Sequence, residues 1–241
     1  MCVGTSTLSV ATNPTALIEI IPPWAQYHRL VPSRYPPVNI FENLVDPAEL
    51  DAVFAVESLT NDRLRNEVGD IALIDPDDRV VGPGATVVMA PFTHTGNSTR
   101  FSNGTYGVFY ATSSIEGAIA ETKFHRTRFL QATSTPPLEI TMREYVGATE
   151  KPLVDIREAA FEHLYDPDPA KYSQSQAFGA ECRDEGCWGL LFRGVRLQGS
   201  ECLAAFKPAA VALPVQARHF RYLWDGAEIV HVLQVSAVGV S

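Results

Sequence analysis

The stretch from Arg100 to Phe129 restricts the possible folds of this chain more than any other, because RFSNGTYGVFYATSSIEGAIAETKFHRTRF places a turn, a strand and a helix start in one short run. Asn103, Gly104 and Gly107 supply turn chemistry, since glycine and asparagine reach backbone angles that other residues avoid. The β-branched and aromatic residues of VFYA favour a strand that delivers Tyr110 near its C-terminal end. Ser113, with Glu116 three residues on, reads as a capping box that closes free backbone N–H groups. Ile115, Ala118, Ile119 and Thr122 follow at helical spacing as an inward face, so a helix is predicted to run to about Phe129. Residues three and four apart share a helix face, which makes Gly117, Ala118, Phe124 and His125 the neighbours of Glu121. A glycine at position 117 costs roughly 1 kcal/mol relative to alanine, a cost that makes sense where a backbone or a ligand comes close. A carboxylate at 121 either faces solvent or serves a ligand, and the segment alone allows both.

Asp46 and Pro47 read as the N-cap and first residue of a helix striped by Leu50, Val53, Phe54 and Val56, ahead of the charged run Asp62 to Glu67. Another helix is predicted from Ser175 to Asp184, stopped by Gly186, after the turn-rich Asp166, Pro167, Asp168, Pro169. Short strand-like runs are Thr86 to Ala90, Val108 to Ala111, Leu138 to Met142, Gly189 to Val195, Glu201 to Phe206, His219 to Leu223 and Glu228 to Leu233. Helices and strands do not alternate strictly, which predicts an α+β fold: short strands in a mixed or antiparallel β core with flanking helices. No repeat or linker divides the chain, so one domain is expected over residues 26–241 after an N-terminal arm, 1–25, that carries Pro14, Pro22 and Pro23.

With 46% hydrophobic residues in 241, the chain has ample material for a core. A formal charge of −9, from 19 Lys+Arg against 28 Asp+Glu, opposes direct nucleic-acid binding by bulk attraction but allows a local basic cleft for a small phosphorylated ligand. No apolar run approaches the roughly 20 residues that span a bilayer. No Lys or Arg precedes Arg29, so the basic region of a secretory signal is missing and a cytoplasmic protein is expected. Cys2, Cys182, Cys187 and Cys202 lack the spacing of a zinc site, so reduced structural thiols and no metal are expected. The six histidines are scattered, and neither G-x-S-x-G nor a strand-linked G-x-G-x-x-G occurs, which disfavours a hydrolytic triad and a Rossmann dehydrogenase.

The central segment resembles the core of the RES-domain family, named for an Arg, a Glu and a Ser that its members share. The likeness extends upstream to YHRL, ending at Leu30, and downstream to YSQSQAFGAECRDEGCWGLLF from Tyr172, GSECLAAFKP ending at Pro208, and RYLWDG ending at Gly226. The resemblance implies a fold related to ADP-ribosyltransferases, an NAD-binding cleft, and a bacterial toxin that depletes NAD by cleaving its nicotinamide–ribose bond with water or phosphate as acceptor. It also implies a cognate antitoxin or immunity protein that covers the active site. Some relatives transfer ADP-ribose to a protein instead. By position, the family's site falls on Arg29, Arg100, Tyr110 and Glu121.

The residue types suit that chemistry. A carboxylate at Glu121 can stabilise the oxocarbenium-like ribose left by nicotinamide. Arginines such as Arg29 and Arg100 can clamp a diphosphate through bidentate hydrogen bonds, or serve the fold through an ion pair. Tyr110 can pack its ring on nicotinamide. The family's Ser position, aligned through GLLF and GSECLAAFKP, falls on Gly194. The expectation is that the Gly194 backbone N–H does part of that work, at a loss of about 0.5–1.5 kcal/mol for one hydrogen bond, or that the chain is a catalytically weakened module that binds NAD or a partner. Ser200, six residues on and across a turn, is not taken as its replacement.

Overall fold

The computed structural model describes residues 17–35, 37–44, 46–57 and 67–236. The expectations at Cys2, Pro14 and from Asp62 to Asn66, and for the side chain of Val56, lie outside these residues.

Nine strands among the described residues form one mixed sheet: β1 (Glu19–Ile20), β2 (Tyr27–Pro32), β3 (Phe109–Thr112), β4 (Leu138–Gly147), β5 (Leu153–Asp155), β6 (Gly189–Arg193), β7 (Glu201–Ala205), β8 (Val215–Trp224) and β9 (Ile229–Val235). Their spatial order is β1-β5-β6-β7-β3-β2-β4-β8-β9. Every pairing is antiparallel except β5 with β6. The fold is therefore α+β with a mixed, mainly antiparallel core. The strand at Glu19–Ile20 pairs with β5, so part of the expected arm is held at the sheet edge.

The middle of the sheet is its weakest seam. β2 meets β3 at a single register pair, His28 with Thr112, whereas β2 and β4 pair over six residues. Below the seam, the Arg29 guanidinium donates from Nη1 to the Tyr110 carbonyl at 2.6 Å and stands in for a ladder bond.

Helices α1 (Asn39–Glu42), α2 (Leu50–Glu57) and α3 (Ala85–Thr93) lie with one face of the sheet, where Phe41, Leu50, Val88 and Met89 pack with Tyr27, Phe109 and Tyr145. α4 (Ile115–Ala132) lies with the other face, where Ile115, Ala118 and Leu130 join Leu30, Met142 and Phe220. α5 (Ser173–Asp184) joins a third cluster, Phe178 and Cys182 with Leu190, Phe192 and Ala204.

Two local expectations are corrected. The run Thr86 to Ala90 is not a strand but the centre of α3. Its valines favour a strand only weakly, and tertiary contacts outweigh that preference: Val87, Val88 and Met89 are buried, and the Glu42 carboxylate accepts from the N–H groups of Gly84 and Thr86 at 2.6 and 2.9 Å. The cap of α4 is Ser114, not Ser113; its hydroxyl accepts from the Gly117 N–H at 3.1 Å, and α4 continues past Phe129 to Ala132. Ser113 is held by β7 instead, its N–H donating to the Glu201 carbonyl and its hydroxyl accepting from the Glu201 N–H.

Candidate active site

Alternation along β3 and β7 sets the floor of the site. Tyr110 lies opposite Ala204 and Thr112 opposite Cys202, so these side chains share one face, while Phe109 and Ala111 point to the other. The first turn of α4 crosses above Thr112. A Cβ at Gly117 would lie 3.2 Å from Thr112 Cβ and 3.3 Å from Ser200 Cβ, so the close approach inferred at this glycine is made by the sheet itself.

One turn further along α4, the Glu121 side chain is 25% exposed, which leaves the carboxylate half in and half out of the protein. Burial raises its pKa above the ordinary glutamate range; Arg196 first and Arg100 second pull it back, and burial wins. Its helix neighbour His125 has Nε2 3.8 Å from the carboxylate. Burial and four arginines, Arg196 foremost, push His125 down to about 4, so it is neutral at physiological pH.

Arg100 is buried and firmly held. Nη1 donates to the carbonyls of Leu164 and Asp166 at 3.0 and 3.1 Å, Nη2 donates to Tyr172 Oη at 3.1 Å, and the guanidinium lies 4.4 Å from the Tyr172 ring centre. Tyr110 fixes the loop that carries it. The Tyr110 hydroxyl accepts from the Phe101 N–H at 3.0 Å and shares a hydrogen bond with Thr99 Oγ1 at 3.0 Å, so it grips the backbone on both sides of Arg100. Burial raises its pKa far beyond the usual tyrosine value, and it stays a neutral phenol.

Sequence reasoning missed Arg196, which sits in the loop joining β6 and β7 with no regular pattern around it. Its guanidinium lies 3.4 Å from the centre of the Phe124 ring, and Nη2 donates to the Pro167 carbonyl and to Tyr172 Oη. Tyr172 Oη thus takes a hydrogen bond from Arg100 and another from Arg196, and the two cations stand together beside Glu121. The Nε of Arg196 is buried without a protein partner.

Arg29 is elsewhere. It shares a face of β2 with Tyr27 and Val31, and its guanidinium lies 4.6 Å from the Phe109 ring centre in the core beneath α3. Burial lowers its pKa to about 10, and the nearby Tyr27 opposes that shift. The structure brings Arg100, Tyr110 and Glu121 together and leaves Arg29 joined to them only through the Tyr110 carbonyl.

Gly194 follows directly after β6 and faces Ser200. Its N–H donates to the Ser200 carbonyl at 2.7 Å and is therefore not open to a ligand, contrary to the expectation from sequence. A Cβ at position 194 would fall 1.9 Å from Ser200 Oγ. Arg193 lies on the Tyr165 ring and pairs with Glu162. Beside these residues opens a cavity of about 490 Å³ lined by Tyr165, Pro167, Arg193, Gly194, Val195 and Ser200 among others.

Among the described residues no group of three or more His, Cys, Asp or Glu side chains gathers as a metal site, Cys182, Cys187 and Cys202 are free thiols, and no helix is long and apolar enough to cross a membrane.

Comparison with known proteins yields three findings. The family model described as the RES domain matches residues 77–225, a span that holds Arg100, Tyr110, Glu121, Gly194 and Arg196 but not Arg29. An uncharacterised protein of Sinorhizobium fredii, y4oC, is 26% identical over 205 residues, covering 85% of either chain. A chain in the crystal structure of the Mycobacterium tuberculosis MbcT–MbcA toxin–antitoxin complex is 10% identical, with a TM-score of 0.36 over 54% of this chain and 73% of that one, a likeness too distant to carry an argument.

Proposed function

This chain belongs to the RES-domain family, and from that premise we propose that it is a bacterial toxin that cleaves the nicotinamide–ribose bond of NAD. The observation that carries the reading is the half-buried Glu121 carboxylate facing two fixed arginines, Arg100 and Arg196. NAD needs both charges at once: anionic help where its ribose turns cationic, and cationic help at its diphosphate.

In this reading the glycosidic C–N bond breaks with its electron pair leaving on nicotinamide. The ionised Glu121 steadies the positive charge that develops on the ribose. Water or phosphate then forms the new C–O bond. Arg100 and Arg196 hold the diphosphate with whatever donors their protein partners leave free. Tyr110 keeps the Arg100 loop in place and offers its ring to the nicotinamide end. Arg29 acts from beneath the sheet, as a positioning residue for the Tyr110 backbone.

A toxin of this kind must be silenced where it is made, and an antitoxin or immunity protein covering the site around Glu121, Arg100 and Arg196 does so in the simplest way. The test of activity is direct. Purified protein with NAD, with and without phosphate, is expected to release nicotinamide and either ADP-ribose or its phosphorylated counterpart. NAD left intact under both conditions refutes the reading, and radiolabel from NAD appearing on protein would move it to ADP-ribosyl transfer.

A further inference from the structure

Glycine at 194 and serine at 200 are a coupled pair. The two residues stand across the β6–β7 hairpin, joined by the Gly194 N–H to Ser200 carbonyl bond at 2.7 Å. The Ser200 hydroxyl does not point away from its partner. It occupies the volume in which a side chain at 194 would begin, 1.9 Å from the Cβ that glycine lacks. A serine at 194 and the present orientation of Ser200 are mutually exclusive, and glycine at 194 leaves the space that the hydroxyl occupies.

The position of that hydroxyl relates it to the site. Ser200 is only 7% exposed, and both it and Gly194 line the 490 Å³ cavity. Its Cβ would touch any side chain at 117, one helical turn before Glu121 on α4. Cys202, two residues on from Ser200, lies close enough to Glu121 and Arg100 to feel both charges. Ser200 therefore packs against the first turn of the helix that carries Glu121, and its hydroxyl adds no charge there.

We infer that the Ser200 hydroxyl, projecting into the place vacated at Gly194, is a substrate-binding group of the cleft and donates a hydrogen bond to a ribose or phosphate oxygen of NAD. The inference rests on the NAD-cleaving reading above. It replaces the role expected for the Gly194 N–H, which the Ser200 carbonyl occupies. It also removes the motive for treating the chain as a weakened family member, because the hydroxyl absent from position 194 is supplied by Ser200, across the hairpin and just before β7.

The experiment is a double-mutant cycle read by steady-state NAD cleavage and by thermal melting. Ser200→Ala is expected to lower kcat/KM roughly 2- to 12-fold, the loss of one net hydrogen bond. Gly194→Ala leaves the hydroxyl in the chain but displaces it, so it is expected to cause a similar loss; combined with Ser200→Ala it should add nothing further. Gly194→Ser with Ser200→Ala returns a hydroxyl to the same volume from the other strand and is expected to recover most of the wild-type kcat/KM. A Ser200→Ala variant with wild-type kcat/KM, or one that loses activity only in step with its melting temperature, overturns the inference. So does a Gly194→Ser, Ser200→Ala protein that melts like wild type but stays as slow as Ser200→Ala. Wild type that leaves NAD intact refutes the reading beneath it, whereas active wild type with an unaffected Ser200→Ala refutes this inference alone.

Discussion

Replacing Tyr110 with phenylalanine removes one oxygen and isolates its role. Tyr110 Oη accepts from the Phe101 N–H and shares a hydrogen bond with Thr99 Oγ1, both at 3.0 Å. Phe101 is 1% exposed, so its N–H would be left buried without an acceptor. Such a group costs about 1–3 kcal/mol. In a chain of this size, roughly 2–4 °C of melting temperature follows each kcal/mol, so a loss near 2 kcal/mol lowers Tm by about 4–8 °C. Activity should fall as well, because the same oxygen grips both neighbours of Arg100. That guanidinium keeps its bonds to Leu164, Asp166 and Tyr172, so the cation is loosened rather than lost. A drop of about tenfold in kcat/KM corresponds to 1.4 kcal/mol of misplacement. Thr99→Val provides the control: it removes the other partner but leaves the Phe101 N–H satisfied, and should lower Tm by clearly less. Differential scanning calorimetry and NAD cleavage on the three proteins decide the matter. Tyr110→Phe melting within about 1 °C of wild type refutes the argument, as does Thr99→Val being the more damaging change.

Three further predictions follow from other parts of the structure. Cleavage of NAD should rise with pH as Glu121 ionises, along a limb lying above the ordinary glutamate value of about 4.3; Arg196→Ala removes the largest charge that pulls that pKa down and should move the limb to still higher pH in a pH–rate profile. Glu144 is fully buried between His28 Nδ1 at 2.7 Å and Arg218, whose Nε and Nη2 donate to it at 2.6 and 2.8 Å. Burial opposes its ionisation, yet the hydrogen bonds from Arg218 and His28 prevail and hold its pKa below the usual range. A depressed carboxylate contributes stability above its unfolded pKa that is lost as pH falls through the folded one. Glu144→Gln should therefore cost about 2 kcal/mol near neutral pH, less than for a fully buried pair because Arg218 is partly exposed, and the gap from wild type should close below about pH 4 in urea melts. Gly179→Ala would place a methyl 2.4 Å from the Phe101 carbonyl oxygen; the overlap of about 1–3 kcal/mol outweighs any gain in helix propensity, so Tm and NAD cleavage should fall together.

The sequence was most legible where local chemistry and tertiary packing agree. The turn, strand and helix from Asn103 to Ala132 follow residue preferences that the core then reinforces, and Ile115 and Ala118 face inward as their spacing requires. Thr86 to Ala90 misleads because a short apolar run fits a buried helix as well as a strand, and the decisive partner, Glu42, lies far away in sequence. Alternation in YHRL places Tyr27 and Arg29 on one face, but only the assembled sheet reveals that this face packs beneath α3 and away from Glu121. Arg196 belongs to an irregular loop, and its approach to Glu121 depends on where α4 and the Pro167 turn end up. The Gly194–Ser200 pairing was hidden by the turn between them: a gap of six residues reads as distance, yet in a hairpin it makes direct partners.

The central claim concerns a carboxylate, and Glu121→Gln tests it with almost no change of shape. The measurement is the rate at which purified wild type and Glu121→Gln consume NAD, with nicotinamide release followed by chromatography and folding checked by thermal melting. Loss of charge stabilisation in the transition state is expected to slow the variant by about 10²–10³-fold while Tm stays near that of wild type. Equal NAD cleavage by the two proteins would contradict the account.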